Sequence, residues 1–80
     1  MTALAKSLHD VVAISPRVMS GTPVFKGTRV PVQALLDHLE EGDSLDVFLD
    51  DFPSVTRQQA IDFLELAGEA ALSQLDARAA

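Results

Sequence analysis

Between Val32 and Phe52 the chain sets down the same apolar spacing twice, and this restricts its fold more than any other feature. Val32, Leu35, Leu36 and Leu39 fall at i, i+3, i+4 and i+7, and Leu45, Phe48, Leu49 and Phe52 repeat the pattern. That spacing gathers four side chains on one side of an α-helix, so each segment carries a face that must be covered. Pro31 stands where its fixed φ suits a first helical turn, Gly42 is placed to end the first helix, and Ser44 to cap the second. Pro53 ends the second helix, because the residue before a proline is pushed out of the helical region. Thr56 and Gln59 have the spacing of a capping box that opens a third helix. Its expected apolar stripe runs through Ile61, Leu64, Ala71 and Leu75, with Gly68 between them and Ala67 and Leu72 at its flanks. Phe63 lies off that stripe, to be packed on the N-terminal part or on another chain. Three amphipathic helices joined by short turns must pack on one another, which predicts a mainly α, three-helix unit over residues 31–78.

Upstream of Pro31 the pattern changes. "VVAIS", "RVM", "PVF" and "TRV" are short apolar runs punctuated by Pro16, Pro23 and Gly27, and they read as short strands or a hairpin in a turn-rich arm over residues 11–30. Leu4 and Leu8, four apart, allow a short helix over residues 2–9 instead. Eighty residues are expected to form one domain, near the lower limit of what a single core stabilises. A two-stranded hairpin is marginal in water, so the strands of two copies are expected to join in a homodimer. The absence of cysteine excludes disulfides and thiolate zinc sites and fits a reducing cytoplasm. The opening "MTALAKSLHDVVAI" lacks the apolar core and cleavage site of a signal peptide, and no run nears the roughly 18 apolar residues of a membrane span. The sequence is therefore read as a soluble, cytoplasmic protein without a membrane partner or cofactor.

Its net charge of −6 is unevenly divided. Residues 1–35 hold four cations against Asp10, a net +3, while residues 36–80 hold two arginines against eleven acids, a net −9. The acidic half aids solubility, and it also suits a basic protein partner, since complementary fields speed association. Nucleic-acid affinity of the whole chain is disfavoured, and only the first half offers a basic patch.

The stretch "SGTPVFKGTRVPV", residues 20–32, uses a Gly-Thr pair twice. It is not a P-loop: five residues separate Gly21 from Gly27, no Lys-Ser/Thr step follows, and Pro31 has no N–H for an anion. The glycines suit positive φ where the chain reverses, and Thr28 suits a side-chain bond to backbone in the turn. Arg29 is unexplained by a turn. It pairs either with an acid such as Asp37, Asp62 or Glu65, or with an external phosphate or carboxylate. Catalysis has little support, because no serine stands at a telling spacing from His9 or His38, and His38 reads as solvated on the polar flank of the first helix. Asp50 and Asp51 adjoin, but consecutive helical residues do not face each other, and a metal site lacks converging ligands. The second and third helices have the order of a helix-turn-helix, with Arg57 and Gln58 as base-reading types, yet Asp62, Glu65 and Glu69 follow them. A β-ribbon bearing Arg17, Lys26 and Arg29 is the other candidate DNA surface.

Residues 14–67 resemble the bacterial family known as domain of unknown function 433. The resemblance rests on Pro16, Val18, Gly21, Pro23, Val24, Gly27, Thr28, Arg29, Val30, Pro31 and Val32, then on Gly42 and Ser44, and on Phe52, Pro53 and Thr56. The departures are mild: Phe52 where tyrosine is usual, and Val55 where leucine is usual. It implies a homeodomain-like helical fold with an N-terminal β element. It also implies an antitoxin role, pairing with a toxin that is often a PIN-like nuclease, and no catalytic residues to carry over. On that reading Glu40, Glu41, Asp43, Asp46, Asp50 and Asp51 are the candidate toxin contacts, set against a basic RNA-binding surface. The alternative is a DNA-binding repressor, autoregulating its operon through Arg17, Lys26, Arg29, Arg57 and Gln58.

Overall fold

The computed structural model describes the backbone of residues 7–79 and the side chains of residues 7–76. In chain order the elements are α1 (Leu8–Val11), β1 (Val12–Ala13), a 3-10 turn (Met19–Gly21), β2 (Val24–Phe25), α2 (Val32–Glu40), α3 (Leu45–Asp51) and α4 (Arg57–Ala79). The protein is mainly helical, with one short antiparallel sheet.

The helix boundaries fall where local chemistry puts them. The Gly42 N–H donates to Leu39 O at 3.0 Å and the Asp43 N–H to His38 O at 2.9 Å, and Gly42 has φ +91°. This pair of bonds closes the end of α2 as a Schellman motif, which requires a left-handed residue. Ser44 Oγ accepts from the Val47 N–H at 3.3 Å and caps α3, and Pro53 follows its end. At α4 the capping box is complete: the Gln59 N–H donates to Thr56 Oγ1 and the Thr56 N–H to Gln59 Oε1, both at 3.1 Å.

The strands are shorter than their apolar runs suggest. Of "VVAIS" only Val12–Ala13 is strand, paired with β2 in the register Val12↔Phe25 and Ala13↔Val24. Val11 closes α1, and of the helix expected over residues 2–9 only α1 falls within the described residues. "RVM" is not a strand. Pro16 and Arg17 occupy the centre of a turn closed by Val18 N–H to Ser15 O at 3.0 Å, because proline presets the φ of a second turn residue. Met19, Ser20 and Gly21 then all take positive φ, at 51°, 56° and 87°. "TRV" contributes only a bridge, in which Phe25 N–H donates to Val30 O at 2.9 Å and Val32 N–H to Pro23 O at 3.1 Å.

The core joins the N-terminal element to the helices. Phe25, Leu35 and Phe48 are fully buried, and the Phe25 ring lies 6.1 Å from that of Phe48 and 5.8 Å, edge-on, from that of Phe63. Phe63 thus packs on the N-terminal part, one of its two expected placements. The expected stripe of α4 holds only in its first half: Leu64 and Ala67 pack against the core beside the buried Ala60 and Phe63, whereas Leu72 and Leu75 are 63% and 58% exposed. Packing ends near Ala67, and residues 68–76 are all exposed. A stripe counted over the whole helix assumed support along all of it, and the globule reaches only the first half. α4 is helical through Ala79. No helix among the described residues is long and apolar enough to cross a membrane.

Candidate functional site

The turn that presents Arg29 is built by Thr28. Lys26 and Gly27 form its centre, Gly27 has φ +81°, and the Thr28 N–H donates to Phe25 O at 2.9 Å. The Thr28 hydroxyl donates to the same carbonyl at 2.8 Å and accepts from the Val30 N–H at 3.0 Å. Phe25 and Val30, on either side, are core residues. The backbone under Arg29 is therefore fixed while its side chain is exposed.

Arg29 makes no hydrogen bond or ion pair among the described residues, so the internal pair with Asp37, Asp62 or Glu65 is not formed. It lines an open groove of about 560 Å³ with Ser15, Val18, Gly27, Thr28 and Ser54. Arg17, also exposed, lies on the 15–18 turn at that groove's edge. Lys26 points elsewhere, its Nζ donating to His9 O at 3.3 Å. Of the motif residues, Pro16 shapes the 15–18 turn, Gly21 and Gly27 supply positive φ, and Pro23 and Pro31 bracket β2.

The helix-turn-helix candidates are engaged with acids. Arg57 forms an ion pair with Asp46, and Gln58 Nε2 donates to Asp62 Oδ1 at 2.8 Å. Both partners of the ion pair are more than half exposed, so it holds weakly, but it places a carboxylate beside the residue that would meet a phosphate.

The six candidate toxin contacts divide into two sets. Asp43, Asp46 and Asp51 have internal partners, while Glu40, Glu41 and Asp50 are exposed and make no side-chain hydrogen bond or ion pair among the described residues. The first set reveals a feature that sequence reasoning missed. His38 is not solvated: its side chain is 20% exposed, Nδ1 lies 2.9 Å from Asp43 Oδ2, and Nε2 lies 3.5 Å from Asp51 Oδ2. Its ring meets those of Phe48 and Phe52 edge-on at 5.6 and 5.9 Å. The available signal was weak: a histidine in the last turn of a helix, followed by the acid that closes the Schellman motif. The two carboxylates sit on opposite ring edges, so they do not converge on one cation, and both nitrogens are occupied. The cluster clamps α2 to α3. Among the described residues no three or more His, Cys, Asp or Glu side chains gather as a metal site would need.

Comparison with known proteins agrees in extent with the motif. A family model described as "Protein of unknown function (DUF433)" matches residues 12–67, which hold β1, β2, α2, α3, the packed half of α4 and every candidate contact named above. The chain is 36% identical over 51 residues to the "Uncharacterized protein y4eO" of Sinorhizobium fredii (strain NBRC 101917 / NGR234). That alignment covers 64% of this chain and 23% of the relative, so the chain spans less than a quarter of that protein's length. No solved structure matches it. With the family model covering more than half of its residues, the chain belongs to the DUF433 family of proteins of unknown function.

Proposed function

We propose that the chain is an antitoxin-like protein that binds and neutralises a toxin protein in the cytoplasm, a ribonuclease of PIN-like type, and performs no chemistry of its own. The observation that carries this reading is the division among the acids of α2 and α3. Among the described residues Glu40, Glu41 and Asp50 have no ion pair, and they lie at the end of α2 and on α3, whose junction is braced by the His38 clamp. Exposed carboxylates on a braced helix pair complement a basic RNA-binding surface and occlude it when docked. The homeodomain-like arrangement is then a protein-binding scaffold, because the start of its third helix presents Arg57 and Gln58 already engaged with Asp46 and Asp62.

The test is co-expression with the product of the neighbouring gene. A stable complex and rescue of growth are expected, and the triple variant Glu40→Lys, Glu41→Lys, Asp50→Lys should weaken the complex at least tenfold while keeping the native circular-dichroism spectrum. Absence of both complex and rescue sinks the antitoxin reading. A triple variant that binds undiminished removes the acidic surface from it.

A DNA-binding repressor remains the second reading, favoured by the exposed Arg29, which has no ion pair among the described residues and shares its groove with Ser15 and Val18 of the turn that carries Arg17. A gel shift on the upstream region should weaken with Arg29→Ala and stay unchanged with Arg57→Ala. If neither substitution alters binding, these DNA contacts are wrong.

A further inference from the structure

The sheet has one finished edge and one open edge. On one side of β2, the Val30–Pro31 segment takes the Phe25 N–H and supplies the Val32 N–H to Pro23 O. On the other side lies β1, where Lys26 N–H donates to Val11 O at 2.7 Å. That bond, with the Val12↔Phe25 and Ala13↔Val24 register, makes Ala13 and Val24 the closely hydrogen-bonded pair. The backbone groups of Val12 and Ile14 therefore point away from β2. The Val12 N–H is used at the end of α1, donating to Leu8 O. The Val12 C=O and the Ile14 N–H have no hydrogen bond among the described residues.

Among the described residues, β1 has none of the usual protections of such an edge except its brevity, at two residues. Edge strands are normally blunted by a lysine, an inward charge, a proline or a bulge. Here the outermost residue is Ile14, 66% exposed, with Leu8 36% exposed close by. Both line an apolar groove of about 530 Å³ with Val12, Pro23, Val32 and Phe63.

We infer that this edge is where two copies of the chain join, β1 against β1, antiparallel, with Ala13 on the two-fold axis. The argument is self-complementarity. A two-fold axis through Ala13 sets the Ile14 N–H of each copy opposite the Val12 C=O of the other, so one acceptor and one donor satisfy their own images. The result is a four-stranded sheet in the order β2–β1–β1–β2. Alternation along the strand places Val12 and Ile14 on one face, so each Ile14 lies across from Val12 of the second copy and the two apolar grooves adjoin. Area favours a second copy over a bound peptide. A stable dimer buries roughly 800 Å² per partner, and a strand held by one pair of bonds covers far less unless the partner brings an apolar surface of its own. The second copy brings the same groove. This inference is independent of the toxin reading and stands or falls separately from it.

The full chain contains no cysteine, which makes a register-specific cross-link decisive. Across the axis, the two Ala13 positions form a non-hydrogen-bonded pair with Cα atoms about 4.5 Å apart, within disulfide reach. Ala13→Cys should form a covalent dimer in an oxidised-glutathione buffer at least tenfold faster than Leu75→Cys, an exposed site on α4. Sedimentation should show a dimer for the native chain and a shift toward monomer for Ile14→Lys. If Ile14→Lys fails to fold, the cysteine pair alone decides. A native chain that sediments as a monomer, or equal cross-linking at both cysteines, overturns the inference, and a monomer whose edge captures a foreign strand assigns the site to another occupant.

Discussion

Adding one methyl group at Gly27 isolates the backbone of the motif from its packing. At φ +81° Gly27 sits in the left-handed region, and a Cβ built there meets no atom within 4 Å. Sterics with neighbours therefore contribute nothing, and the effect of Gly27→Ala is conformational. Holding an L-residue in the left-handed region costs about 1–2 kcal/mol, offset by about 0.4–1 kcal/mol because alanine has fewer unfolded conformations to lose. The net loss is about 1 kcal/mol, or about 4–8 °C in Tm for a chain of this size. Gly27→Asn should lose less, because asparagine enters this region more readily. Gly68→Ala supplies the opposite sign. It too meets nothing within 4 Å, yet lies inside α4, where alanine exceeds glycine by about 0.8–1 kcal/mol in helix propensity. Because residues 68–76 are exposed, part of that gain should appear as helicity rather than global stability. Urea and thermal unfolding followed by far-UV circular dichroism measure all three variants. Coincident midpoints for Gly27→Ala and the native chain would falsify the reasoning, as would Gly27→Asn falling below Gly27→Ala.

Two other substitutions test the core and the clamp. Phe25→Ala removes a fully buried ring from between Phe48 and Phe63 and should cost about 3–5 kcal/mol. That is a large part of the roughly 4–12 kcal/mol expected for eighty residues, so loss of the cooperative melt is the outcome to look for, and a Tm near the native value would show that Phe25 is not central. His38→Ala should cost about 1–2 kcal/mol through its ring contacts with Phe48 and Phe52. Most of that loss should persist in high salt, because only the part contributed by partly exposed Asp43 and Asp51 is screened; a loss that vanishes with salt would make the clamp purely electrostatic.

What the sequence disclosed was local, and what it concealed was not. Gly42, Ser44, Pro53, Thr56 and Gln59 act on backbone groups within a few residues of themselves, so the ends of α2, α3 and α4 were legible in the chain. The strands were overestimated because apolar runs record burial, whereas strand length depends on a partner that only the folded chain supplies. The face of α4 was misjudged for a related reason: its latter half carries apolar residues, but the globule ends before reaching them. His38 depends on Asp43, Asp51, Phe48 and Phe52 meeting across a turn, a convergence with no spacing signature. Arg29 was left with two roles by its sequence context, and that it has no ion pair among the described residues is a fact of folded geometry.

The same geometry explains why Arg29 belongs on this turn. Ordering an arginine on binding costs side-chain entropy, and a mobile backbone beneath it would add more. Here the backbone is fixed before any partner arrives, by the two bonds of the Thr28 hydroxyl and by Phe25 and Val30 in the core on either side. Thr28→Val keeps the shape of the side chain but leaves the half-buried Val30 N–H without its acceptor, which should cost about 1–3 kcal/mol. Thr28→Ser keeps both bonds and should remain within about 0.5 kcal/mol of the native chain. If rigidity under Arg29 serves recognition, Thr28→Val should also weaken whichever interaction Arg29→Ala weakens, at a temperature where the variant is still folded. Unchanged binding by a folded Thr28→Val chain would confine the turn to a structural role and leave Arg29 a surface charge like any other.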